Sequence, residues 1–248
     1  GYEEVITPTI EYFDTLAVGM GERLQEKSIR FLDPSGSLYV MRPDHTTPIA
    51  RLAATRMAKT KHPLKLFYTG SIFRKQKKDT GDLEIFQAGQ ELIGDPSPKA
   101  DAEMIVSCIN ALLSLGHKNI CIDIGHVDFI KSVSPSKRQA LLEGDYIKFG
   151  QLPDRGGPKT IKGHKDLEAI LKILKKENVD QYVSFNKGLV KGIYYYTGII
   201  FEAYVEGNRN VVASGGRYDQ LLAKFGHRTP AVGYALNLSH LHDRTKRT

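Results

Sequence analysis

The residues with the clearest potential for chemistry lie at positions 187–202, which read KGLVKGIYYYTGIIFE. If this stretch is a strand, the alternation of side chains places a set of residues on one face: Tyr194, Tyr196, Gly198, Ile200 and Glu202. That face would offer aromatic walls, hydroxyls, a bare backbone patch and a carboxylate, which suit a pocket for a small, polar, aromatic ligand. The alternative, which the stretch taken alone favours, is a tyrosine-rich structural strand.

A second candidate is the strand-like stretch 86–92, FQAGQEL, in which Gln87, Gly89 and Glu91 would share a face. A glycine inside a strand often marks the close approach of a ligand or of another backbone. A Gln and a Glu that face inward are costly to bury unless a partner satisfies them, and a ligand with an ammonium group and ring N–H groups would do so. The alternative, equally favoured, is that this polar face meets water.

Two further candidates flank predicted elements. Asp44 and Thr46 lie just before a helix whose first turn contains Pro48, and Arg74 lies just past the end of a strand. Asp and Thr are common helix N-caps, so capping is the simpler role for the first two residues. Arg74 could clamp an anion, although its position alone favours an ordinary surface arginine.

The elements that must position these residues are mainly hairpins. Apolar runs at 30–33 and 37–42 flank a Pro-Ser-Gly turn, and strand-like runs at 64–73 and 84–94 flank a basic, polar turn. Helices are predicted at 11–20, from 46, at 98–115 with Gly116 as a cap, and at 166–177. Further strands are predicted at 119–124, 182–185, 193–205, 211–214 and 231–236, and residues 215–219 turn into a helix that reaches about Phe225.

The pattern predicts an α+β fold with a mostly antiparallel sheet flanked by helices. Residues 1–125 and 182–248 would form the core, and the polar segment 126–181 would be a small helical insertion, from which residues are expected to be absent near 149–153.

Composition sets broad limits. The chain has 248 residues, 41% of them hydrophobic, which is enough for a sizeable core. Its two cysteines, Cys108 and Cys121, show no paired metal-ligand spacing, so we expect no metal and a reduced, cytoplasmic setting. No apolar run has membrane-spanning length, and no secretory signal is visible. The net charge of +7 permits contact with nucleic acid or phosphorylated ligands without requiring it. Because the first residues are already strand-like and no initiator Met is present, we expect upstream residues to have been left out.

Several ordered segments together resemble the class II aminoacyl-tRNA synthetases, and specifically the histidyl-tRNA synthetase family. Residues 1–8 look like the end of motif 1, a dimer-interface strand that closes on a proline. Residues 70–74 through 86–87 look like motif 2, and residues 189–198 look like the histidine-recognition motif. Residues 215–219 and 231–236 resemble the region up to and including motif 3. The similarity covers nearly the whole chain outside the predicted insertion.

The resemblance implies a histidine-binding set of nine residues: Asp44, Thr46, Arg74, Gln87, Glu91, Lys191, Tyr195, Tyr196 and Tyr218. In this set Asp44, Thr46 and Gln87 would hold the α-ammonium group. Glu91 and Tyr196 would contact the imidazole, and Tyr218 would line the pocket. Arg74 would lie near the carboxylate or an adjoining phosphate.

The sequence departs from the synthetase pattern at the positions that handle ATP. Residues 80–85 contain no basic residue where motif 2 carries a further arginine, and Gln76 replaces an acidic residue. Lys191 replaces the catalytic arginine, a change that is not conservative at a bidentate site, and Tyr194 replaces an acidic residue. Residues 237–241, NLSHL, lack the arginine that ends motif 3. Activation by ATP needs these cations to neutralise developing charge, so the resemblance implies a kept histidine pocket beside a dismantled ATP pocket.

That combination resembles the synthetase paralogues that serve as regulatory subunits of ATP phosphoribosyltransferase, and residues 42–51 and 87–94 look closer to them than to true synthetases. The resemblance implies a non-catalytic, cytoplasmic subunit without catalytic residues or cofactor. Its partners would be the short catalytic subunit of that enzyme and, through the motif 1-like strand, a second copy of itself. L-histidine would be the ligand through which the first step of histidine biosynthesis is feedback-controlled, and tRNA is not expected to bind. Two alternatives stay open: a divergent but active histidyl-tRNA synthetase core, and a synthetase-like RNA-binding or scaffolding module with an empty pocket.

Overall fold

The structure is a computed structural model that describes residues 1–75, 83–131, 133–143, 145–150, 153–189 and 195–241. Its strands are β1 (Glu3–Glu4), β2 (Ile10–Tyr12), β3 (Arg30–Leu32), β4 (Leu38–Met41), β5 (Leu64–Phe73), β6 (Glu84–Ile93), β7 (Ile120–His126), β8 (Arg155–Gly156), β9 (Val183–Asn186), β10 (Ile199–Val205), β11 (Ala213–Arg217) and β12 (Ala231–Asn237). Its α-helices are α1 (Phe13–Ala17), α2 (Glu22–Lys27), α3 (Thr46–Ala54), α4 (Pro98–Ser114), α5 (Asp128–Lys131), α6 (Pro135–Glu143), α7 (Tyr146–Phe149), α8 (Lys165–Lys176) and α9 (Leu238–Leu241). Short 3₁₀ helices occupy Pro158–Ile161, Asp180–Tyr182 and Leu222–Phe225.

The chain divides into two compact units. The first unit comprises Gly1–Asp95 and Asp219–Thr248, and the second comprises Pro96–Tyr218. The predicted core at 1–125 and 182–248 and the predicted insertion at 126–181 stay predictions.

In the first unit, the strands that carry predicted site residues follow the order β1-β5-β6-β12. Strands β5 and β6 form a long antiparallel hairpin, from the pair Leu64 and Ile93 to the pair Phe73 and Glu84. This confirms the hairpin predicted from two apolar runs around a polar turn. Strand β12 lies antiparallel to β6 on its other side, and β2, β4 and β3 form a separate antiparallel sheet in that order.

In the second unit, the strands follow the order β11-β10-β7-β9-β8. Helix α4 starts at a proline, as suits a first helical turn, and Gly116 beyond its end has a φ of +91°. Helix α8 contacts α4 and buries a stripe at helical spacing, formed by Leu167, Ile170, Leu171 and Leu174. Cys108 on α4 is fully buried, whereas Cys121 on β7 is half-buried.

The expectation of a mostly antiparallel sheet requires correction, because the sheet arrangement is mixed. Strand β1 pairs with β5 in parallel, and β7 pairs with β9 in parallel. A parallel pair needs a long crossover connection, and both of these pairs have one. Residues 127–182, which supply α5 to α8, connect β7 to β9. Counting short hairpin turns cannot detect such pairs.

Three predicted elements differ in extent from those observed. Residues 11–20 were expected to be helical, but residues 10–12 form β2 and only Phe13–Ala17 form α1. The strand expected at 193–205 begins at Ile199, and residues 190–194 lie outside the described part of the chain. Residues 215–217 belong to β11 rather than to a turn, and the helix expected after them is the 3₁₀ helix Leu222–Phe225. Within the described residues, no helix is both long and apolar enough to cross a membrane.

Candidate functional site

Five predicted site residues lie in the first unit, and the strand β6 supplies two of them. The face of β6 that carries Gln87, Gly89 and Glu91 is buried, with Gln87 7% exposed and Glu91 1% exposed. The alternative that this polar face meets water is therefore wrong. A buried carboxylate and a buried amide need hydrogen-bond partners, so polar contacts are expected along this face of β6.

Glu91 has one such partner at the start of helix α3. The hydroxyl of Thr46 donates a hydrogen bond of 2.8 Å to Oε1 of Glu91. The other carboxylate oxygen lies over Gly233 on the paired strand β12, where an added Cβ would fall 1.7 Å from Oε2. Gly233 therefore makes room for this carboxylate. Gly233 was not among the predicted site residues, although a glycine inside a predicted strand was a usable signal.

Gly89 is approached by protein atoms. A Cβ at this position would lie 2.3 Å from Oη of Tyr68 and 2.3 Å from the backbone carbonyl of Tyr234. The prediction that Gly89 marks a close approach holds for the neighbouring backbone and for an aromatic side chain. Tyr68 is 2% exposed and stacks on the ring of His45, with 4.3 Å between the ring centroids. Neither aromatic residue was predicted.

Asp44 acts as the capping side chain of helix α3. Its Oδ1 accepts a hydrogen bond of 2.9 Å from the Thr47 backbone N–H, and its Oδ2 accepts one of 3.1 Å from the Thr47 hydroxyl. Burial raises the pKa of Asp44, while the two bonds from Thr47 and the charge of Arg74 act in the opposite direction. Each carboxylate oxygen can accept a second hydrogen bond, so capping leaves acceptor capacity for a ligand.

Arg74 is half-buried at the end of β5, where its backbone N–H donates to the Leu83 carbonyl at 2.9 Å. The charge of Arg74 favours a lower pKa at both Asp44 and His45, although burial outweighs it at Asp44, where the pKa is raised overall. The three groups therefore share one electrostatic environment. The pKa of His45 falls to about 4, chiefly because the ring is buried and further because of Arg42 and Arg74. His45 is therefore neutral at neutral pH and adds no charge beside Asp44.

The three described tyrosines of the predicted set lie in the second unit. The rings of Tyr195 and Tyr196 are 4.4 Å apart between centroids, and the hydroxyl of Tyr195 donates to that of Tyr196 at 3.1 Å. Tyr195 also meets Tyr218 edge-on at 6.5 Å. Tyr195 is 39% exposed, Tyr196 half-buried and Tyr218 2% exposed, so the cluster runs from the surface inward.

This tyrosine cluster rests on apolar packing and on small residues. Tyr196 packs against Val127, Leu189 and Ile200, and an added Cβ at Gly216 would fall 2.8 Å from its ring. The structure thus brings Tyr195, Tyr196 and Tyr218 together. Lys191, the ninth member of the predicted set, and Tyr194 lie outside the described residues.

A buried ion pair in the second unit escaped the sequence analysis. Nε of Arg217 donates to Oδ1 of Asp101 at 2.9 Å, and a second guanidinium nitrogen lies 2.7 Å from the same oxygen. Both side chains are 7% exposed. The pair joins the end of β11 to α4, two elements far apart in sequence, and no local pattern predicts such a contact.

In the first unit, the arrangement is therefore rich in hydrogen-bond acceptors. Carboxylates on Asp44 and Glu91 and the amide of Gln87 suit a ligand that presents an ammonium group and ring N–H groups.

Comparisons with known proteins identify the family. A family model described as histidyl-tRNA synthetase matches residues 1–148 and 150–241. The ATP phosphoribosyltransferase regulatory subunit of Clostridium acetobutylicum is 37% identical, over 97% of this chain and 70% of its own length.

Solved structures agree with this relationship. A crystal structure from Bacillus halodurans, described as an ATP phosphoribosyltransferase regulatory subunit/histidyl-tRNA synthetase, is 30% identical with a TM-score of 0.85, over 96% of this chain and 73% of that one. The apo histidyl-tRNA synthetase of S. aureus, at 24% identity and a TM-score of 0.70 over 97% of this chain and 59% of that one, shows the shared fold alone. The chain therefore has the class II synthetase fold and belongs to the histidyl-tRNA synthetase-like family of ATP phosphoribosyltransferase regulatory subunits.

Proposed function

We propose that this chain is a regulatory subunit of ATP phosphoribosyltransferase, a glycosyltransferase, and has no aminoacylation activity of its own. It would support a short catalytic subunit in the first step of L-histidine biosynthesis and make that step responsive to histidine. The names of its relatives support the regulatory role. The partner, the ligand and the cytoplasmic setting follow from the same assignment.

The observation that carries this proposal is the neutral segment where a synthetase would clamp ATP. At the end of β12, the Asn237 amide donates to Nδ1 of His240 at 3.0 Å, and the Ser239 hydroxyl accepts a 2.9 Å bond from the Phe86 backbone N–H. The resemblance to motif 3 places an arginine in this segment, and residues 237–241 contain neither Lys nor Arg. Without that cation the γ-phosphate of ATP loses a group that neutralises charge in the transition state.

For the ligand, we propose that histidine binds the acceptors of the first unit. Its ammonium group would contact Asp44 and Gln87, its ring N–H would contact the Glu91 carboxylate held by Thr46, and its carboxylate would lie toward Arg74. The charges of Asp44, Glu91 and Arg74 support this, because two carboxylates and a guanidinium complement the ammonium group, the ring N–H and the carboxylate of histidine. Lys191, Tyr195, Tyr196 and Tyr218 stay predicted members of the histidine-binding set.

The test is phosphoribosyl transfer by the short catalytic subunit, measured with and without this chain and titrated with histidine. We expect the chain to raise activity and histidine to lower it. In Glu91→Gln the carboxylate becomes a neutral amide, so the histidine concentration for half-inhibition should rise about tenfold or more, the cost of one charged hydrogen bond. Glu84→Gln, an exposed change on the same strand, should respond as the unmodified chain does.

Two results would contradict the proposal. Unchanged transfer activity on adding the chain would remove the regulatory role. An equal histidine response in Glu91→Gln and in the unmodified chain would remove the binding site, and would favour a scaffolding module with an empty pocket.

The second candidate is a divergent histidyl-tRNA synthetase core, which the matching family model favours. Histidine-dependent ATP–pyrophosphate exchange separates the two candidates, because only a synthetase forms the adenylate. We expect no exchange above background. Robust exchange would establish the second candidate instead.

A further inference from the structure

Two histidines and an aspartate converge in the second unit, apart from the predicted histidine-binding set. His126 is the last residue of β7, Asp128 opens α5, and His164 immediately precedes α8. His126 is 6% exposed, and its ring lies edge-on to that of His164 with 4.4 Å between the centroids. Three potential metal ligands from three elements thus meet at one point.

Two of the three distances between their polar atoms are close to those of ligands around a small tetrahedral ion. Oδ2 of Asp128 lies 3.4 Å from Nδ1 of His126 and 3.6 Å from Nε2 of His164. One ligand atom from each residue lies within 4.8 Å of the others. Zinc bonds of about 2.0–2.1 Å in a tetrahedron separate neighbouring ligands by roughly 3.3–3.4 Å, whereas octahedral Mg²⁺ requires about 3.0 Å.

The contacts around the cluster bear on which atoms could bind an ion. Lys131 pairs with Oδ1 of Asp128, so that Oδ2 is the oxygen nearest both rings. Nε2 of His164 is buried and has no hydrogen-bond partner among the described residues. Buried polar nitrogens without a partner are uncommon, and a bound ion is one established reason for them.

We propose that Nδ1 of His126, Oδ2 of Asp128 and Nε2 of His164 bind one Zn²⁺ ion, with water in the fourth position. Two imidazoles and one carboxylate form a donor set that zinc commonly accepts. The ion would join the end of β7 to the first turn of α8.

Binding exchanges two hydrogen bonds for metal bonds. Nδ1 of His126 accepts the Asp128 backbone N–H at 3.1 Å, and the ion takes the place of that donor. Nδ1 of His164 accepts the Leu167 N–H at 3.4 Å, a long hydrogen bond. When Nε2 of His164 binds zinc, the ring proton moves to Nδ1 and this contact is lost. No oxidation or covalent step is involved.

The experiment titrates the purified, tag-free chain with Zn²⁺ against a chromophoric chelator, followed by metal analysis after dialysis. We expect one equivalent of zinc. His164→Ala and Asp128→Asn should each weaken binding by about 100-fold or more, beyond the 10–100-fold cost of losing an outer-shell partner. His227→Ala, an exposed histidine, and Cys121→Ser, which removes the half-buried thiol, should bind as the unmodified chain does.

Two further measurements use the unmodified chain and therefore do not depend on whether a variant folds. Zinc should raise the Tm of the unmodified chain, because the ion binds the folded state, and Co²⁺ should give the intense visible absorption of a tetrahedral site. The proposal is overturned if the unmodified chain binds no zinc, if His164→Ala binds as tightly as the unmodified chain, or if the Co²⁺ spectrum is octahedral. Loss of binding in Cys121→Ser would place the ion elsewhere and would equally overturn it.

Discussion

At the residue scale, the side chain of Glu91 can be buried because its partner on the adjacent strand β12 is a glycine, Gly233. Its carboxylate occupies the space over Gly233, and Thr46 holds one of its oxygens. Similarly, the ring of Tyr68 occupies the space over Gly89. The acceptor face of β6 is thus shaped by two glycines as much as by its polar residues.

The substitution Gly233→Ala tests this dependence. A methyl group 1.7 Å from Oε2 of Glu91 forces the carboxylate or the strand to move, because such a separation is far below any atomic contact. Overpacking of this kind costs about 1–3 kcal/mol of unfolding free energy. Urea unfolding should show that loss, whereas Gly157→Ala, where nothing lies within 4 Å of the added Cβ, should stay within about 0.5 kcal/mol. Equal losses in the two variants would refute the role of Gly233.

The buried ring of His45 predicts a pH dependence of stability. Its pKa is lowered from 6.5 to about 4, so between these values the unfolded chain takes up a proton that the folded chain does not. The stabilising contribution is complete above pH 6.5 and declines as the pH falls toward 4, by up to about 3 kcal/mol. Burial is also the main reason why the pKa of His126 is lowered to about 4. The contribution of His45 must therefore be isolated by comparing the unmodified chain with His45→Gln. The difference in unfolding free energy between the two chains should shrink between pH 6.5 and 4, and a constant difference would contradict this assignment.

The residue contacts were only partly predictable. Strand alternation was sufficient to place Gln87, Gly89 and Glu91 on one face, and the structure confirms that this face is buried. The contact of Tyr68 with Gly89 and His45 joins three separate elements, and no local spacing contains that information. The same holds for His126 and His164, which only the folded chain brings together.

At the element scale, prediction succeeded where local chemistry defines an end. Pro48 in the first turn of α3 and Pro98 and Gly116 around α4 each mark a boundary that the structure confirms. Residues 77–82 of the predicted polar turn lie outside the described residues, and β5 and β6 pair up to Phe73 and Glu84. Prediction failed where tertiary packing sets the boundary. Strand β10 begins at Ile199, six residues later than expected from its aromatic run, because the strand extends only where β7 and β11 pair with it.

The observed capping role of Asp44 at the start of α3 can be separated from its proposed role in binding the ammonium group. Asp44→Ala removes the acceptor for Thr47 and should cost about 1 kcal/mol of stability, whereas Asp44→Asn should preserve the cap. If Asp44 also binds the ammonium group, both variants should raise the Kd for histidine about tenfold or more, because both lose the charge. Calorimetry and urea unfolding on the same preparations distinguish the roles. Unchanged affinity in Asp44→Asn would leave Asp44 as a cap only.

At the scale of the whole molecule, family membership rests on several motifs in a fixed order. The predicted fold class was correct in its synthetase-like character and wrong in its sheet, since β1 and β9 each join a parallel pair. The missing arginine of motif 3 was visible from sequence because it is a change of residue type at a recognisable position. Self-association through the motif 1-like strand stays a prediction.

We propose that the chain self-associates through the region of β1, as the resemblance to motif 1 implies. Ile6, just after β1, exposes 84% of its surface and lies in the segment that resembles the dimer-interface motif. Ile6→Glu should therefore raise the dimer dissociation constant about tenfold or more in sedimentation equilibrium, through the buried charge. Ile147→Glu, at a side chain that is 94% exposed on α7, is the matched control and should leave the constant unchanged. An equal effect of both substitutions, or none from Ile6→Glu, would contradict this interface.

Because Cys108 is buried, the alkylation rate of its thiol can report local opening of the protein. The chain has two thiols, and burial raises the pKa of Cys108 so far that its thiolate, the reactive form, is suppressed in the folded state. Cys121 is only half-buried, although burial raises the pKa of its thiol as well. Alkylating reagents should thus modify Cys121 first and reach Cys108 only when α4 separates from its packing. The rate at which the second thiol is labelled therefore reports the opening of the second unit, without any added probe.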